Sequence, residues 1–203
     1  MPRAAGKTEP RRIIVGISGA SGLPYGVRTL EVLRRVPGYE VHLVMTAAAK
    51  LNVGIETDLT VADVEKLAHV VHSVRNISAS IASGSFRTEG MIVAPCSMRT
   101  LSCIVHSNSE NLLLRAADVV LKERRRLVVL PREAPLHSGH CKLLYEASLL
   151  GVIVFPPMPA FYHRPRSIDD LLDGTVGRVL DLFGIDCGLV RPWTGSKQLA
   201  EDE

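Results

Sequence analysis

Short apolar runs that alternate with helical stretches constrain this chain most strongly, and residues 91–133 show the pattern best. An apolar run at residues 91–94 precedes a helical-looking segment at residues 111–125, and a second apolar run follows at residues 127–130. This alternation predicts parallel strands joined by crossover helices. Further runs of the same kind lie at residues 13–17, 41–45 and 151–155. The sequence therefore predicts an α/β fold with a mainly parallel sheet.

Polar side chains follow the two apolar runs of this central stretch. Ser97 and Thr100 come shortly after the first run, and Arg132 and Glu133 come directly after the second. Ligands of parallel α/β sheets bind at the carboxyl ends of the strands. We therefore expect a site for a polar, phosphorylated small molecule at this edge of the sheet.

A glycine-rich turn, Ser18-Gly19-Ala20-Ser21-Gly22, follows the first apolar run, and Pro24 lies where a helix would begin. A strand, glycine turn and helix in this order expose backbone N–H groups to an anion. The glycine spacing matches neither the GxGxxG dinucleotide pattern nor a P-loop. Thr46, and not an acidic residue, follows the second run, which disfavours an NAD site.

Length and composition restrict the class of protein. The 203 residues favour one domain with a sizeable core, and the net charge is +3. No apolar stretch approaches the roughly 18 residues that span a bilayer. The basic run at residues 122–126 lacks neighbouring aromatic residues, which disfavours nucleic-acid binding. The four cysteines and seven histidines show no metal-binding spacing, so no metal site is predicted and a cytoplasmic location is expected.

Several other side chains could serve a phosphate or move protons. The cationic candidates are Arg115, Lys122, Arg132 and Arg178, and Tyr162, the last residue of a predicted extended, proline-rich segment, adds a hydroxyl. The carboxylate candidates are Glu56 and Glu133. For each of these residues an ordinary surface charge or salt bridge remains the alternative.

Seven short motifs together resemble the UbiX-type flavin prenyltransferases, a family whose members include a component of hydroxyarylic acid decarboxylases, and the resemblance covers roughly residues 12–193. The motifs are Gly16-Ile17-Ser18-Gly19-Ala20-Ser21-Gly22, Gly84-Ser85-Phe86-Arg87-Thr88, Pro95-Cys96-Ser97-Met98-Arg99-Thr100-Leu101, Arg115-Ala116-Ala117-Asp118-Val119, Leu121-Lys122-Glu123-Arg124, Pro131-Arg132-Glu133-Ala134-Pro135 and Pro159-Ala160-Phe161-Tyr162.

The resemblance implies a single-domain, Rossmann-like three-layer α/β/α fold, assembled as a homo-dodecamer with active sites at subunit junctions. It implies metal-independent transfer of a dimethylallyl group from dimethylallyl phosphate to N5 and C6 of reduced FMN. The product, prenylated FMN, would serve UbiD-type decarboxylases. The flavoprotein domain would span residues 12–193, between tails at residues 1–11 and 194–203.

The same resemblance assigns roles to individual residues. The residues expected to contact FMN are Gly19, Ala20, Ser21, Thr46, Ser97, Met98, Arg99, Thr100 and Arg132. Those expected to hold dimethylallyl phosphate are Arg115, Lys122, Tyr162 and Arg178. The expected catalytic residues are Ser21 and Glu56, which would handle protons, and Glu133, which would lie near the phosphate. Cations in place before the allylic C–O bond breaks would stabilise the charge on the leaving phosphate.

Two other functions remain open at this stage. One is an FMN-binding decarboxylase related to the cysteine-peptide decarboxylases, which rely on a histidine after the second strand. Residues 46–50 contain no histidine, which disfavours that alternative. The other is a non-catalytic flavin-binding accessory subunit of a decarboxylase.

Overall fold

A computed structural model of the chain describes residues 10–190. The chain divides into two compact units, Met1–Met158 and Pro159–Glu203. The predicted C-terminal tail and residues 1–9 of the predicted N-terminal tail lie outside the described residues. The first strand begins at Arg11, and the predicted domain limits at residues 12 and 193 stay predictions.

The first unit contains a six-stranded parallel sheet with the strand order β3-β2-β1-β4-β5-β6. Its strands are β1 (Arg11–Ile17), β2 (Tyr39–Met45), β3 (Val70–His72), β4 (Gly90–Cys96), β5 (Arg126–Pro131) and β6 (Ile153–Val154). The chain winds outward from β1 in one direction and from β4 in the other. The strand order therefore reverses between β1 and β4, where such sheets bind their ligands.

Helices connect the strands and cover the sheet. In the first unit they are α1 (Leu23–Arg35), α2 (Ala47–Glu56), α3 (Val61–Lys66), α4 (Met98–Val105), α5 (Leu112–Lys122) and α6 (Ser138–Leu149). Because parallel crossovers are right-handed, α1 to α3 lie on one face of the sheet and α4 to α6 on the other. The predicted α/β architecture with a parallel sheet is confirmed.

The central strands have the composition that burial on both faces requires. Every residue of β4 is buried, and only the first two residues of β1 reach solvent. Strands covered on both sides read as continuous apolar runs. Burial on both faces therefore explains why the apolar runs of the sequence predicted β1, β2, β4 and β5.

Two strands were harder to find. The edge strand β3 was missed because it has three partly exposed residues and includes His72. A strand this short shows no hydrophobic period. The predicted strand at residues 151–155 is shorter than expected, since β6 covers Ile153–Val154 only and Gly151 adopts a φ of 90°.

The second unit contains a short 3-10 turn, Phe161–His163, and the helix α7 (Ile168–Asp181). Ser167 and Asp170 form a capping box at the start of α7, since each side chain accepts a hydrogen bond from the backbone of the other. Tyr162 lies in the 3-10 turn, so its predicted place at the end of an extended segment was wrong. The turn begins at Phe161, after the last proline of the segment, Pro159, and Ala160.

Candidate active site

A buried serine ties together the carboxyl ends of the two central strands. Ser18 follows β1, and its backbone N–H and its hydroxyl both donate to the carbonyl oxygen of Pro95, at 3.2 and 3.0 Å. The same hydroxyl oxygen accepts a hydrogen bond of 2.8 Å from the backbone N–H of Ser97. The glycine turn after β1 is thereby fixed beside the first residues of α4.

The turn itself lies in close contact with the start of α2. A Cβ atom added to Gly19 would lie 2.3 Å from the Cβ of Ala48, which no side chain can accommodate. Gly22 adopts a φ of 105°, in the region that favours glycine. Gly19 thus lets the turn lie against α2, and Gly22 lets the backbone bend into α1. The backbone between these two glycines can face a ligand.

Three helices begin at this carboxyl edge, because α1, α2 and α4 each follow a central strand. Thr46 caps α2 by accepting a hydrogen bond from Ala49 N–H at 3.1 Å. Ser97 caps α4 by accepting one from Thr100 N–H at 3.2 Å. The partial positive charge of a helix N-terminus favours anions, so the ends of α2 and α4 make this edge suitable for a phosphate or another anionic group, whereas the first N–H groups of α1 are bound by Glu56.

A carboxylate from the far end of α2 reaches the glycine turn. Glu56 accepts hydrogen bonds from the backbone N–H groups of Gly22 and Leu23 through one oxygen, Oε2, at 2.8 and 2.9 Å. Its other oxygen, Oε1, has no hydrogen-bond partner among residues 10–190. Ser21, which is exposed, is the residue directly before Gly22, so the structure brings two of the predicted catalytic residues to one turn.

Arg132 joins this group from the end of β5. Its Nε donates to the carbonyl oxygen of Ser21 at 3.2 Å, and its backbone N–H donates to the carbonyl of Cys96 at 3.2 Å. The adjacent Glu133 is exposed, and its carboxylate accepts a hydrogen bond from the N–H of Ala134. Glu133 therefore lies at the same sheet edge but makes only this local contact among the described residues.

Two predicted FMN contacts are less direct. Met98 is buried in the hydrophobic core. The side chain of Arg99 is 82% exposed and pairs with Glu110 at 3.2 Å. Both residues belong to the first turn of α4, so a contact from either to a ligand at that helix N-terminus would use the backbone.

Sequence reasoning missed two residues that shape the turn. One is Ser18, whose bridge to Pro95 and Ser97 depends on strands far apart in sequence. The other is Asn52, whose Nδ2 donates to the carbonyl of Ala20 at 3.1 Å. Asn52 precedes Glu56 by four residues on α2, so both share one helix face, and this spacing was the available signal.

The predicted phosphate-binding residues of the first unit lie elsewhere. Arg115 pairs with Asp118 at 2.8 Å, and Lys122 pairs with Glu123. Lys122 ends α5 four residues before β5 starts, so it lies at the amino edge of the sheet, opposite the glycine turn. The six residues of β5 separate these two edges by roughly 20 Å. One copy of the first unit therefore does not bring Lys122 and the glycine turn together.

The other two predicted phosphate ligands belong to the second unit. Tyr162 is 57% exposed, and its ring centroid lies 4.0 Å from that of His163. Arg178, in the last turn of α7, pairs with Asp181, and its side chain is half exposed. Both polar groups are accessible within their own unit.

The described residues contain no cluster of metal-binding side chains, and the cysteine that ends β4 is buried. No group of three or more His, Cys, Asp or Glu residues within residues 10–190 could hold a metal ion. Burial raises the pKa of the Cys96 thiol, so that thiol stays protonated. Within the same residues, no helix has both the length and the apolar composition needed to cross a membrane.

A parallel sheet with a strand-order reversal, a glycine turn and converging helix N-termini is the arrangement of a mononucleotide-binding α/β protein. Residues 2–180 match the family model described as Flavoprotein. The chain is 55% identical over 188 residues to the flavin prenyltransferase UbiX of Escherichia coli K12, covering 92% of this chain and all of that protein. It is 52% identical over 187 residues to the flavin prenyltransferase UbiX of Thauera aromatica, covering 92% and 96%.

Solved structures agree with these relatives. AnUbiX, in complex with FMN and dimethylallyl pyrophosphate, superposes with a TM-score of 0.90 at 46% identity, covering 93% of this chain and all of that one. A dodecameric FMN-dependent UbiX-like decarboxylase from Escherichia coli O157:H7 superposes with a TM-score of 0.89 at 48% identity, covering 91% and 100%. The chain therefore belongs to the flavoprotein family, within its UbiX-type flavin prenyltransferases. The predicted family and Rossmann-like fold are confirmed.

Proposed function

We propose that this protein is a flavin prenyltransferase, which moves a dimethylallyl group from dimethylallyl phosphate to N5 and C6 of reduced FMN. The observation that carries the proposal is the Glu56 carboxylate, held on the glycine turn beside Ser21. The identity of 55% to a protein named flavin prenyltransferase UbiX supports the same reaction. The prenylated FMN would then be the cofactor of a UbiD-type decarboxylase.

The carboxyl edge offers FMN an exposed turn and two helix N-termini. Gly19 and Ser21 are exposed on the turn, and the N-termini of α2 and α4 lie at the same edge and suit the phosphate of FMN. The residues that would hold FMN are Gly19, Ala20, Ser21, Thr46, Ser97, Met98, Arg99, Thr100 and Arg132. Reduced FMN, when bound, supplies the nucleophilic atoms of the reaction.

Glu56 is suited to accept and return protons. Its Oε2 is fixed by two backbone N–H groups, which leaves Oε1 in a defined position as the basic atom. A positioned carboxylate of this kind contributes general acid–base catalysis. The exposed hydroxyl of Ser21, on the same turn, can pass a proton between Glu56 and the bound ligand.

The leaving phosphate needs positive charge that is already in place. Arg115, Lys122, Tyr162 and Arg178 would supply donors, and Glu133 would lie near them. Because Lys122 and the glycine turn lie at opposite edges of the sheet, the donors at one site would come from a neighbouring copy of the chain. The relative from Escherichia coli O157:H7 is dodecameric, and we propose the same assembly here.

We also propose where in the cell the enzyme works and which part of the chain carries the activity. The described cysteines Cys96, Cys103, Cys141 and Cys187 are all free thiols. Free thiols fit a reducing compartment, so we place the protein in the cytoplasm. We assign the activity to the flavoprotein domain predicted at residues 12–193.

The experiment is a turnover assay with FMN, a chemical reductant and dimethylallyl phosphate, followed by mass spectrometry of the released flavin. The expected result is a flavin heavier than FMN by one dimethylallyl group, formed only when all three components are present. A parallel reaction with dimethylallyl pyrophosphate identifies the preferred donor. Unmodified FMN in every reaction would instead support the non-catalytic accessory role, and carbon dioxide release from an aromatic acid by this protein alone would support the decarboxylase.

A further inference from the structure

Arginine side chains crowd a cavity at the amino edge of the sheet, away from the glycine turn. The cavity measures about 410 Å³, and its lining includes Arg11, Arg12, Arg87, Thr88, Glu89 and Arg125. Four guanidinium groups and one carboxylate give this lining a formal charge of +3, of which the carboxylates of Glu40 and Glu123, within 4.0 Å of Arg12 and Arg125, offset a part. An excess of positive charge in a concave, partly enclosed site raises the local concentration of anions.

Arg125 carries a positive charge that no carboxylate closely neutralises. Its Nη2 and Nη1 donate to the carbonyl oxygens of Gly84 and Phe86, at 2.6 and 2.9 Å. Its nearest carboxylate, that of Glu123, lies 4.0 Å away, and the arginine side chain is only 16% exposed. Carbonyl oxygens satisfy N–H donors without cancelling the charge, and a poorly solvated charge gains most from an added anion.

Arg87 and Thr88 provide further donors in the same cavity. Arg87 is exposed and forms no ion pair with any of residues 10–190. The hydroxyl oxygen of Thr88 is buried and has no hydrogen-bond partner there. Buried hydroxyls nearly always have a partner, and this one would reach a ligand oxygen after a rotation of the Thr88 side chain toward the cavity.

Arg11 and Arg12 are held in place before any ligand arrives. Arg11 pairs with Glu89 at 2.9 Å and lies 4.8 Å above the ring centroid of Tyr39. Arg12 pairs with Glu40 at 3.1 Å and lies 4.8 Å above the ring of Phe86. A planar guanidinium that is already ordered loses little conformational entropy when it binds an oxyanion.

We propose that this cavity binds a small oligophosphate anion, of which pyrophosphate is the simplest. Arginine forks pair with phosphate oxygens in a bidentate way, and several forks together favour a ligand with more than one phosphate group. The volume lies within the range of roughly 300–1,000 Å³ typical of small-molecule sites. The lining does not include Arg115 or Lys122, although Glu123 contacts both Lys122 and Arg125, so the cavity adjoins the proposed prenyl-phosphate site without sharing its ligands.

Isothermal titration of the full chain with pyrophosphate tests the proposal. Arg87→Gln removes one charge from an exposed position, so the variant should keep the melting temperature of the wild type. It should weaken pyrophosphate binding roughly 10- to 100-fold, the loss expected for a charge-assisted contact. The matched control is Arg75→Gln, which removes an exposed arginine from the turn after β3, at the opposite edge of the sheet. Its affinity for pyrophosphate should equal that of the wild type.

A second arm separates the cavity from the prenyl-phosphate site. Lys122 does not line the cavity, so pyrophosphate should still bind to Lys122→Ala, and Arg87→Gln should still weaken that binding. Inorganic phosphate, with a single phosphate group, should bind the wild type more weakly than pyrophosphate. The proposal is overturned if Arg87→Gln binds like Arg75→Gln, or if Lys122→Ala abolishes all binding of pyrophosphate. Neither outcome bears on whether the enzyme prenylates FMN.

Discussion

Glu56, the last residue of α2, supplies the N-terminal cap that α1 lacks by accepting the backbone N–H of Gly22 at 2.8 Å. Gly22 has no side chain to cap the helix, and the first turn of α1 contains no acidic residue. The Glu56 carboxylate, 34 residues away in sequence, therefore both caps α1 and places a negative charge at its N-terminus. The same contact that stabilises the start of α1 therefore places a proton acceptor at the glycine turn.

Replacing Glu56 with glutamine should separate its structural role at the start of α1 from its proposed role in proton transfer. The amide oxygen of the new side chain can still accept both backbone hydrogen bonds, but the amide can no longer take up a proton. We expect Glu56→Gln to bind FMN nearly as well as the wild type and to form prenylated FMN about 100- to 10,000-fold more slowly. Single-turnover kinetics followed by flavin absorbance measure this change. Glu65→Gln, which removes a carboxylate from the neighbouring helix α3, is the control, and equal rates for the two variants would remove Glu56 from the mechanism.

The close approach of Gly19 to Ala48 makes a second prediction. In Gly19→Ala the new methyl group would meet another Cβ, which cannot move aside, so the turn or α2 must shift. Overpacking of this kind costs about 1–3 kcal/mol of unfolding free energy. FMN affinity should fall by roughly tenfold or more, the equivalent of ~1.4 kcal/mol.

Gly54→Ala gives the matched control for Gly19→Ala. Gly54 lies on the exposed side of α2, with no atom within 4 Å of an added Cβ. That variant should be about 0.5–1 kcal/mol more stable than the wild type. Urea unfolding and flavin titration measure both variants. Wild-type FMN affinity in Gly19→Ala would show that the turn backbone does not contact the flavin.

A histidine pair in the sheet should make stability depend on pH. His42 is buried in β2, with its Nε2 2.9 Å from the Glu40 carboxylate and its Nδ1 2.9 Å from Nε2 of His72. Burial lowers the pKa of both imidazoles below the ordinary value of 6.5, although the hydrogen bond to Glu40 opposes the shift at His42. The unfolded chain therefore takes up these protons first. Stability should be full above pH 6.5 and should be lost as the pH falls through the lower folded-state pKa values.

Urea unfolding between about pH 8 and pH 5 tests this dependence on the histidine pKa values. His72→Gln keeps an N–H donor for Nδ1 of His42 but removes one of the two titrating groups, so its stability should fall less over this range. His106→Gln removes an exposed histidine and should retain the wild-type dependence. Parallel curves for all three proteins would mean that the pair does not control acid stability.

The sequence allowed prediction of those parts of the site that depend on local chemistry. Thr46 and Ser97 were recognisable because polar side chains that follow apolar runs lie at the carboxyl edge of a parallel sheet, where ligands bind. The hydrogen bonds from Gly22 to Glu56 and from Asn52 to Ala20 were not predictable, because they depend on how α2 packs against the turn. Motif resemblance predicted that Lys122 binds the phosphate, but only the structure placed it at the opposite edge of the sheet from the turn.

That separation predicts that two inactive variants can restore each other. Glu56→Gln alters the glycine-turn side of the proposed site, and Lys122→Ala alters the phosphate side. If each site combines Glu56 of one copy with Lys122 of another, assemblies formed from both variants contain some sites with both native residues. Random mixing at equal amounts should recover roughly a quarter of the wild-type rate, since each native residue is present in half of the chains. If both residues of a site came from one chain, the mixture would recover nothing.

The two variants are co-expressed with different affinity tags and purified through both tags, and product formation is measured per mole of flavin bound. The control mixes wild-type chains with the double variant Glu56→Gln/Lys122→Ala. Sites shared between chains again retain roughly a quarter of the activity in this mixture, whereas sites within one chain retain about half. Recovery in the first mixture together with a quarter in the second would establish that neighbouring copies build each site. No recovery in the first, with half in the second, would place Lys122 and Glu56 in the same chain's site and contradict the separation that the sheet imposes.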